Sequence, residues 1–294
     1  MTFLKSLQIP TDDMEFSVMR GEKRTCFSTV YPFKIFPQKE ISEFDFAPVT
    51  IFYGGNGSGK TTLLNVISEK INAIRHSEFS GSAFFDRYVS LCRIDGYNIP
   101  PNSQFLSSDD VFDYVLNIRY LNNGIDNMRE ELFKGYATMR QRHFEDETYR
   151  QLHGLEDYDR WKEVRDATSR SKTQSQFVRE RLARNVEMFS NGETAMRYFT
   201  EHIDRDAIYL LDEPENSLSI KFQLELAQFL LDSARFYNCQ FIISTHSPVF
   251  LSIKEALIYN LDTVPVETCN WTELENVRAY FDFFNEHKNE FIIL

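Results

Sequence analysis

The sequence predicts an α/β fold: a mixed sheet flanked by helices, with a helical lobe inserted into it. Three observations predict this. The apolar run Pro48-Val49-Thr50-Ile51-Phe52-Tyr53 passes straight into Gly54-Gly55, and in residues 61–74 Leu63, Leu64, Val66, Ile67, Ile71 and Ile74 recur at helical spacing. Residues 207–211, 220–237 and 239–244 read as strand, helix and strand, the order of a βαβ unit in a parallel sheet. Between these regions, residues 107–199 lose all strand character and become charged, aromatic and poor in glycine.

Taken in order, residues 27–36 are β-branched and aromatic but interrupted by Pro32, which predicts a strand or edge hairpin. Helices are predicted over 111–120 and 175–188. The strongly polar stretch 145–172 reads as a mobile hairpin or a partner-facing arm. A last strand is predicted over 256–261, and the aromatic tail 280–294 is expected to pack on the core, with docking of a partner as the alternative. The domain organisation expected is a core in two parts, 1–106 and 200–294, around an inserted lobe, 107–199.

At 294 residues the chain is long enough for one large α/β domain with an insertion. Hydrophobic residues at 42% and charged residues at 26% are ordinary for a globular protein. The net charge of −12 argues against a uniformly basic surface for nucleic acid, although Arg179, Arg181 and Arg184 could form a local strip or simply a solvated helix face. Cys26, Cys92, Cys239 and Cys269 are far apart, poor material for a zinc site or a disulfide framework. The opening MTFLKSLQIP lacks an apolar signal segment and no run is long enough to span a bilayer, so a cytoplasmic location is expected.

The residues Gly54-Gly55-Asn56-Gly57-Ser58-Gly59-Lys60-Thr61 match GxxxxGK[ST] between a predicted strand and a predicted helix. Glycines let backbone N–H groups curl around an anion, and the helix N-terminus adds positive potential. Lys60 is then placed to reach the β- and γ-phosphates of ATP, and the Thr61 hydroxyl to bind Mg²⁺, with Thr62 beside it in the first turn.

Residues Ile208-Tyr209-Leu210-Leu211-Asp212-Glu213 form an apolar strand ending in two carboxylates. Ligands collect at the carboxyl ends of parallel strands, so the pair should lie beside the phosphate loop. Asp212 would hold the Mg²⁺ shell, and Glu213 would orient and deprotonate the attacking water. Ser244-Thr245-His246-Ser247-Pro248 follows a second apolar strand, which would bring His246 to the same rim to sense a γ-phosphate.

Together with Phe189-Ser190-Asn191-Gly192-Glu193, these segments resemble the ABC ATPase superfamily in its soluble SMC-like and recombination-repair branch, nearest to small stand-alone bacterial ABC-type predicted ATPases. The resemblance covers residues 50–60 and 189–261, with weak support from 27–36. It implies a P-loop NTPase core of ABC type, with ATP and Mg²⁺ as ligands. It implies that two copies clamp ATP face to face, Ser190, Asn191, Gly192 and Glu193 meeting the nucleotide of the opposite copy. Glu193 stands where glutamine is usual and is expected to point away from the phosphates.

The resemblance also implies a glutamine near the start of the lobe that touches metal and nucleotide, for which Gln104 is the candidate, and an aromatic under adenine, for which Tyr31 and Phe33 are candidates. The activity implied is ATP hydrolysis that switches a separate partner protein or acts on nucleic acid, in bacterial defence. The alternative is the nucleotide-binding subunit of a membrane transporter, but Ser219 replaces the aspartate usual there. A nucleotide-sensing scaffold is a third possibility. The lobe lacks sustained heptads, so no long coiled coil is expected.

Overall fold

The structure is a computed structural model that describes residues 2–23, 26–27, 29–77, 79, 81–146, 151, 154–168, 173–187 and 189–291. The chain divides into two compact units, Met1–Phe112 with Ser190–Leu294, and Asp113–Phe189. The first unit opens with β1 (Leu4–Gln8), α1 (Asp12–Gly21), β2 (Glu43–Asp45), β3 (Val49–Tyr53) and α2 (Lys60–Ile71). Next come β4 (Ile74–Arg75), α3 (Phe85–Leu91), β5 (Arg93–Gly96), β6 (Gln104–Ser107) and the first residues of α4 (Ser108–Glu145). The second unit carries the rest of α4 with α5 (Tyr158–Thr168) and α6 (Gln174–Arg179). The first unit resumes with α7 (Asn191–His202), β7 (Ile208–Asp212), α8 (Ile220–Phe236), β8 (Gln240–Ser244) and α9 (Pro248–Leu251). It closes with β9 (Leu257–Asn260), β10 (Glu267–Thr268), α10 (Glu275–Glu286) and α11 (Lys288–Phe291).

The main sheet has the order β10-β9-β3-β8-β7-β6-β4, parallel except for the edge pair β9–β10. Strands β3 and β8 are buried at every residue, and β7 at every residue but its last. That is why they read as continuous apolar runs and not as alternating ones: helices or strands cover both faces. A three-stranded antiparallel sheet, β2-β1-β5, lies in the same unit. Gln240, fully buried in β8, joins the two sheets. Its side-chain oxygen accepts from the N–H groups of Phe3 (3.0 Å) and Leu4 (2.9 Å), and its amide donates to Leu4 O (2.7 Å) and Ala47 O (3.2 Å). All four amide valences are satisfied, so the buried polar group costs little.

Several segments differ from the sequence expectation. The described part of 27–36 is not a strand: Phe33 N–H donates to Val30 O at 3.0 Å, Lys34 adopts φ 70°, and Phe33 and Phe36 insert into the core beside Tyr88. The aromatic residues that suggested a strand serve as core filling for a turn. The helix of 111–120 belongs to the much longer α4, of 38 residues. The helix of 175–188 shrinks to α6. Beyond it residues 183–187 have no regular secondary structure, and Asn122 bonds both backbone groups of Val186, donating to its O (2.9 Å) and accepting from its N–H (2.8 Å). Residues 147–150, 152–153 and 169–172 of the polar stretch, Met188 and the tail end 292–294 lie outside the described residues. Residues 107–112 and 190–199 group with the core unit and not with the inserted lobe. The tail does not bury its aromatics: α10 buries Val277, while Tyr280, Phe281, Phe283 and Phe284 are exposed. Among the described residues no helix is long and apolar enough to cross a membrane.

Candidate active site

Strand β8 lies between β3 and β7, and the register puts Phe52, Ser244 and Asp212 level across the three strands. Being parallel, all three release their next residues at the same rim. Those residues are the glycine-rich loop, Thr245-His246, and Glu213. In a sheet of this kind the carboxyl ends of the strands are where a ligand meets several loops at once.

The loop turns by placing Gly57 (φ 79°) and Gly59 (φ 99°) in the left-handed region, where any side chain is strained. Lys60 then opens α2 with its side chain buried. Its Nζ donates to Gly54 O (2.8 Å) and Gly55 O (3.2 Å), lies 2.7 Å from His246 Nε2 and is 3.8 Å from Glu213 Oε1. Burial lowers the pKa of Lys60, opposed by the nearby carboxylates of Glu213 and Asp212. Asp262, after β9, accepts from Gly55 N–H at 2.7 Å and so pins the loop's entry.

Thr61 Oγ1 donates to Asp212 Oδ1 at 3.2 Å, and the Ser244 hydroxyl donates to the same oxygen. Burial raises the pKa of Asp212, and the two hydroxyls work in the other direction. Glu213 adopts φ 47°, an uncommon left-handed conformation for a residue with a side chain, fixed by its N–H bond to Ser244 O (3.0 Å). Its Oε1 is 3.5 Å from His246 Nε2, and its Oε2 accepts from Asn216 Nδ2 at 3.0 Å.

Two cavities open at this rim. One, of about 360 Å³, is lined by the residues from Asn56 to Thr62 with Tyr31, Ile35 and Glu213. The other, of about 680 Å³, shares Tyr31 and Thr61 with it and reaches Asp212, Ser107, Asp109 and Arg75. Tyr31 donates its hydroxyl to Thr62 Oγ1 at 3.1 Å. Arg75 lies against the Phe105 ring, 3.7 Å from its centroid. Its Nε and Nη1 are buried without a partner among the described residues, and burial lowers its pKa. Nothing in the sequence distinguished this arginine, since it sits in a strand of two residues.

The structure thus brings together Lys60, Thr61, Asp212, Glu213 and His246. It does not bring Gln104 to them. Gln104 begins β6 opposite Tyr209, at the far end of the strand from Asp212, and its amide donates to His202 O at 3.2 Å. The position level with Asp212 is Ser107. Phe33 is also unavailable to a ligand, being packed edge-on against Tyr88 in the core. Ser190, Asn191, Gly192 and Glu193 line neither cavity. They open α7 as a capping box: Glu193 accepts from Ser190 N–H (2.9 Å) and Oγ (2.8 Å), while Ser190 Oγ accepts from Glu193 N–H (3.3 Å). Those bonds from Ser190 lower the pKa of Glu193. Gly192 has a packing reason of its own, since a Cβ there would lie 2.9 Å from the Phe222 ring.

Glu215 escaped the sequence reading. Two residues beyond Glu213, its Oε1 accepts from Thr245 Oγ1 (2.7 Å), His246 N–H (2.7 Å) and Ser247 N–H (3.2 Å). Burial raises its pKa against those bonds. A glutamate in a polar turn carries no periodicity that would single it out.

Among the described residues no three His, Cys, Asp or Glu side chains converge as a self-sufficient metal centre. The oxygen pair Thr61 Oγ1 and Asp212 Oδ1 suits a hard cation such as Mg²⁺, which takes few protein ligands and fills its shell from phosphates and water.

A protein-family model described as "AAA domain, putative AbiEii toxin, Type IV TA system" matches residues 116–252. No curated protein matches the chain. Among solved structures, the chain is similar to an Smc head domain with an extended coiled coil bound to the C-terminal domain of ScpA, from Pyrococcus furiosus. The identity is 14%, the coverage 98% of this chain and 100% of that one, and the TM-score 0.44. It is also similar to an Smc head bound to the C-winged helix domain of ScpA, at 17% identity over 81% and 94% of the two chains, with TM-score 0.39. A third similar structure is the SMC head domain from Thermotoga maritima, at 12% identity over 91% and 98%, with TM-score 0.39.

Proposed function

We propose that this chain is an ABC-type ATPase of the soluble SMC-like branch, which binds ATP with Mg²⁺ and hydrolyses it to switch a partner. The observation that carries the reading is the convergence of Lys60, Thr61, Asp212, Glu213 and His246 at one rim of three adjacent parallel strands. The backbone N–H groups of residues 56–62 cradle the phosphates, and Lys60 exchanges its carbonyl contacts for phosphate oxygens. Thr61 and Asp212 would hold Mg²⁺, which would supply positive charge to the phosphate oxygens. Glu213 takes the proton of the attacking water, and His246 contacts the γ-phosphate from the neighbouring strand. Arg75 adds positive charge beside Thr61 and Asp212.

On this reading the α7 N-terminus, which lines neither cavity, serves the nucleotide of a second copy, so that the working form is an ATP-bridged homodimer. A free phosphate oxygen competes there with the Glu193 carboxylate for Ser190. The description of the matched family, a putative toxin of a toxin–antitoxin system, supports a role in bacterial defence; a separate protein as the object of the switch is part of this proposal. The test is turnover of ATP by the full chain with Mg²⁺, together with size-exclusion chromatography of Glu213→Gln. Wild-type hydrolysis and an ATP-dependent dimer of the variant are expected. A wild-type protein that neither binds nor hydrolyses ATP would remove the proposal.

A further inference from the structure

We infer that Glu215 is a positioning residue for His246, holding from below the loop that carries the imidazole to the phosphate site. The inference rests on reading that site as an ATPase centre. Glu215 and His246 line one cavity beside the phosphate loop and not the phosphate-loop cavity itself, but only the imidazole reaches Lys60. Glu215 Oε1 instead collects the Thr245 hydroxyl and the N–H groups of His246 and Ser247, all within 3.2 Å. Three donors on one carboxylate oxygen fix three consecutive residues, and bonds to an ionised acceptor are the strong kind.

The other side of the same residue is tied as well. Asn276, on α10, donates its side-chain amide to His246 O at 3.2 Å. Both backbone groups of His246 are therefore held by side chains from outside its own strand. With its backbone so fixed, the ring stands 2.7 Å from Lys60 and 3.5 Å from Glu213. Because Glu215 follows Glu213 in the same turn, displacement of that turn moves the general base and the histidine loop together. Glu215 thus couples the two halves of the hydrolytic apparatus while leaving the phosphate loop alone.

The experiment uses the full-length chain as wild type, Glu215→Ala, Glu215→Gln and Asn276→Ala. The readouts are kcat and KM for ATP with Mg²⁺, and the imidazole nitrogen resonances of His246 in nucleotide-free protein, assigned by difference with His246→Asn. Glu215→Ala is expected to lower kcat about 100-fold with KM within about threefold of wild type, the signature of a misplaced catalytic group and intact binding. Its His246 resonances should move. Glu215→Gln should recover most of kcat, because an amide oxygen still accepts the same N–H bonds. Asn276→Ala should shift both readouts in the same direction by a smaller amount, and it carries the test should Glu215→Ala fail to fold.

Unchanged kcat with unmoved His246 resonances would overturn the inference, as would a glutamine variant no better than alanine. If the wild type itself does not turn over ATP, the ATPase reading fails. The nucleotide-free spectra then decide alone: unmoved resonances in Glu215→Ala and Asn276→Ala overturn the positioning role.

Discussion

Lys60 Nζ lies 2.7 Å from His246 Nε2. An ammonium only donates, so a charged Lys60 meets the imidazole nitrogen as an acceptor. The histidine therefore takes a share of the lysine's hydrogen-bonding capacity, which on the proposed reading a phosphate oxygen would also claim. On the proposed reading His246→Ala should bind ATP within about threefold of wild type but turn it over about 10²- to 10⁴-fold more slowly. Equilibrium binding of a fluorescent ATP analogue and a phosphate-release assay measure the two effects separately.

Gln240 bonds four backbone groups across the two sheets from a fully buried position. Gln240→Leu preserves approximate volume but removes the side-chain partner of all four, of which Ala47 O keeps only a long contact from Thr50 Oγ1. The variant should lose about 2–4 kcal/mol of stability, the cost of several buried backbone groups left without partners. Urea denaturation of variant and wild type gives the difference from the shift in midpoint.

Glu15 is buried on α1, and its Oε2 accepts from Lys34 N–H at 2.7 Å. Burial is the largest influence and raises its pKa above the ordinary glutamate value. A raised carboxyl contributes stability that is complete below the unfolded pKa and is lost as pH rises through the folded one. Glu15→Gln does not titrate. Its Tm relative to wild type should therefore increase as pH rises from about 4 and level off above the folded pKa. Thermal unfolding at several pH values reads this, and a difference that falls with pH would contradict the buried-carboxyl assignment.

Cysteine accessibility offers a check on the core. Burial pushes the Cys92 thiol up to about 12 and the Cys239 thiol up to about 11, whereas Cys26 is exposed. In native protein at mildly alkaline pH, iodoacetamide should label Cys26 first and leave Cys92 and Cys239 unmodified until the chain unfolds. Peptide mass spectrometry after a timed quench resolves the order.

The central strands were legible because burial on both faces writes them as unbroken apolar runs, and their loops carry residues whose chemistry is narrow: a lysine after glycines, two acids, a histidine. What was hidden follows from physics as well. Gln104 has the right chemistry but begins β6, and composition alone does not tell which end of a strand a polar residue occupies. Glu215 and Asp262 act by receiving backbone N–H groups, a role open to any acid in a turn, so their neighbours in space had to be known. The tail misled in the opposite sense. Its phenylalanines suggested burial, yet α10 turns a single residue, Val277, fully into the core.

The position of β3 has a consequence for how the protein is made. This strand delivers the glycine-rich loop, yet both of its hydrogen-bonded neighbours, β8 and β9, follow it at a long distance in the sequence. A ribosome completes the glycine-rich loop well before residues 240–260, so the strand beneath it waits for both of its partners. A truncated product lacking β8 and β9 has no neighbouring strand with which to hold the loop in shape.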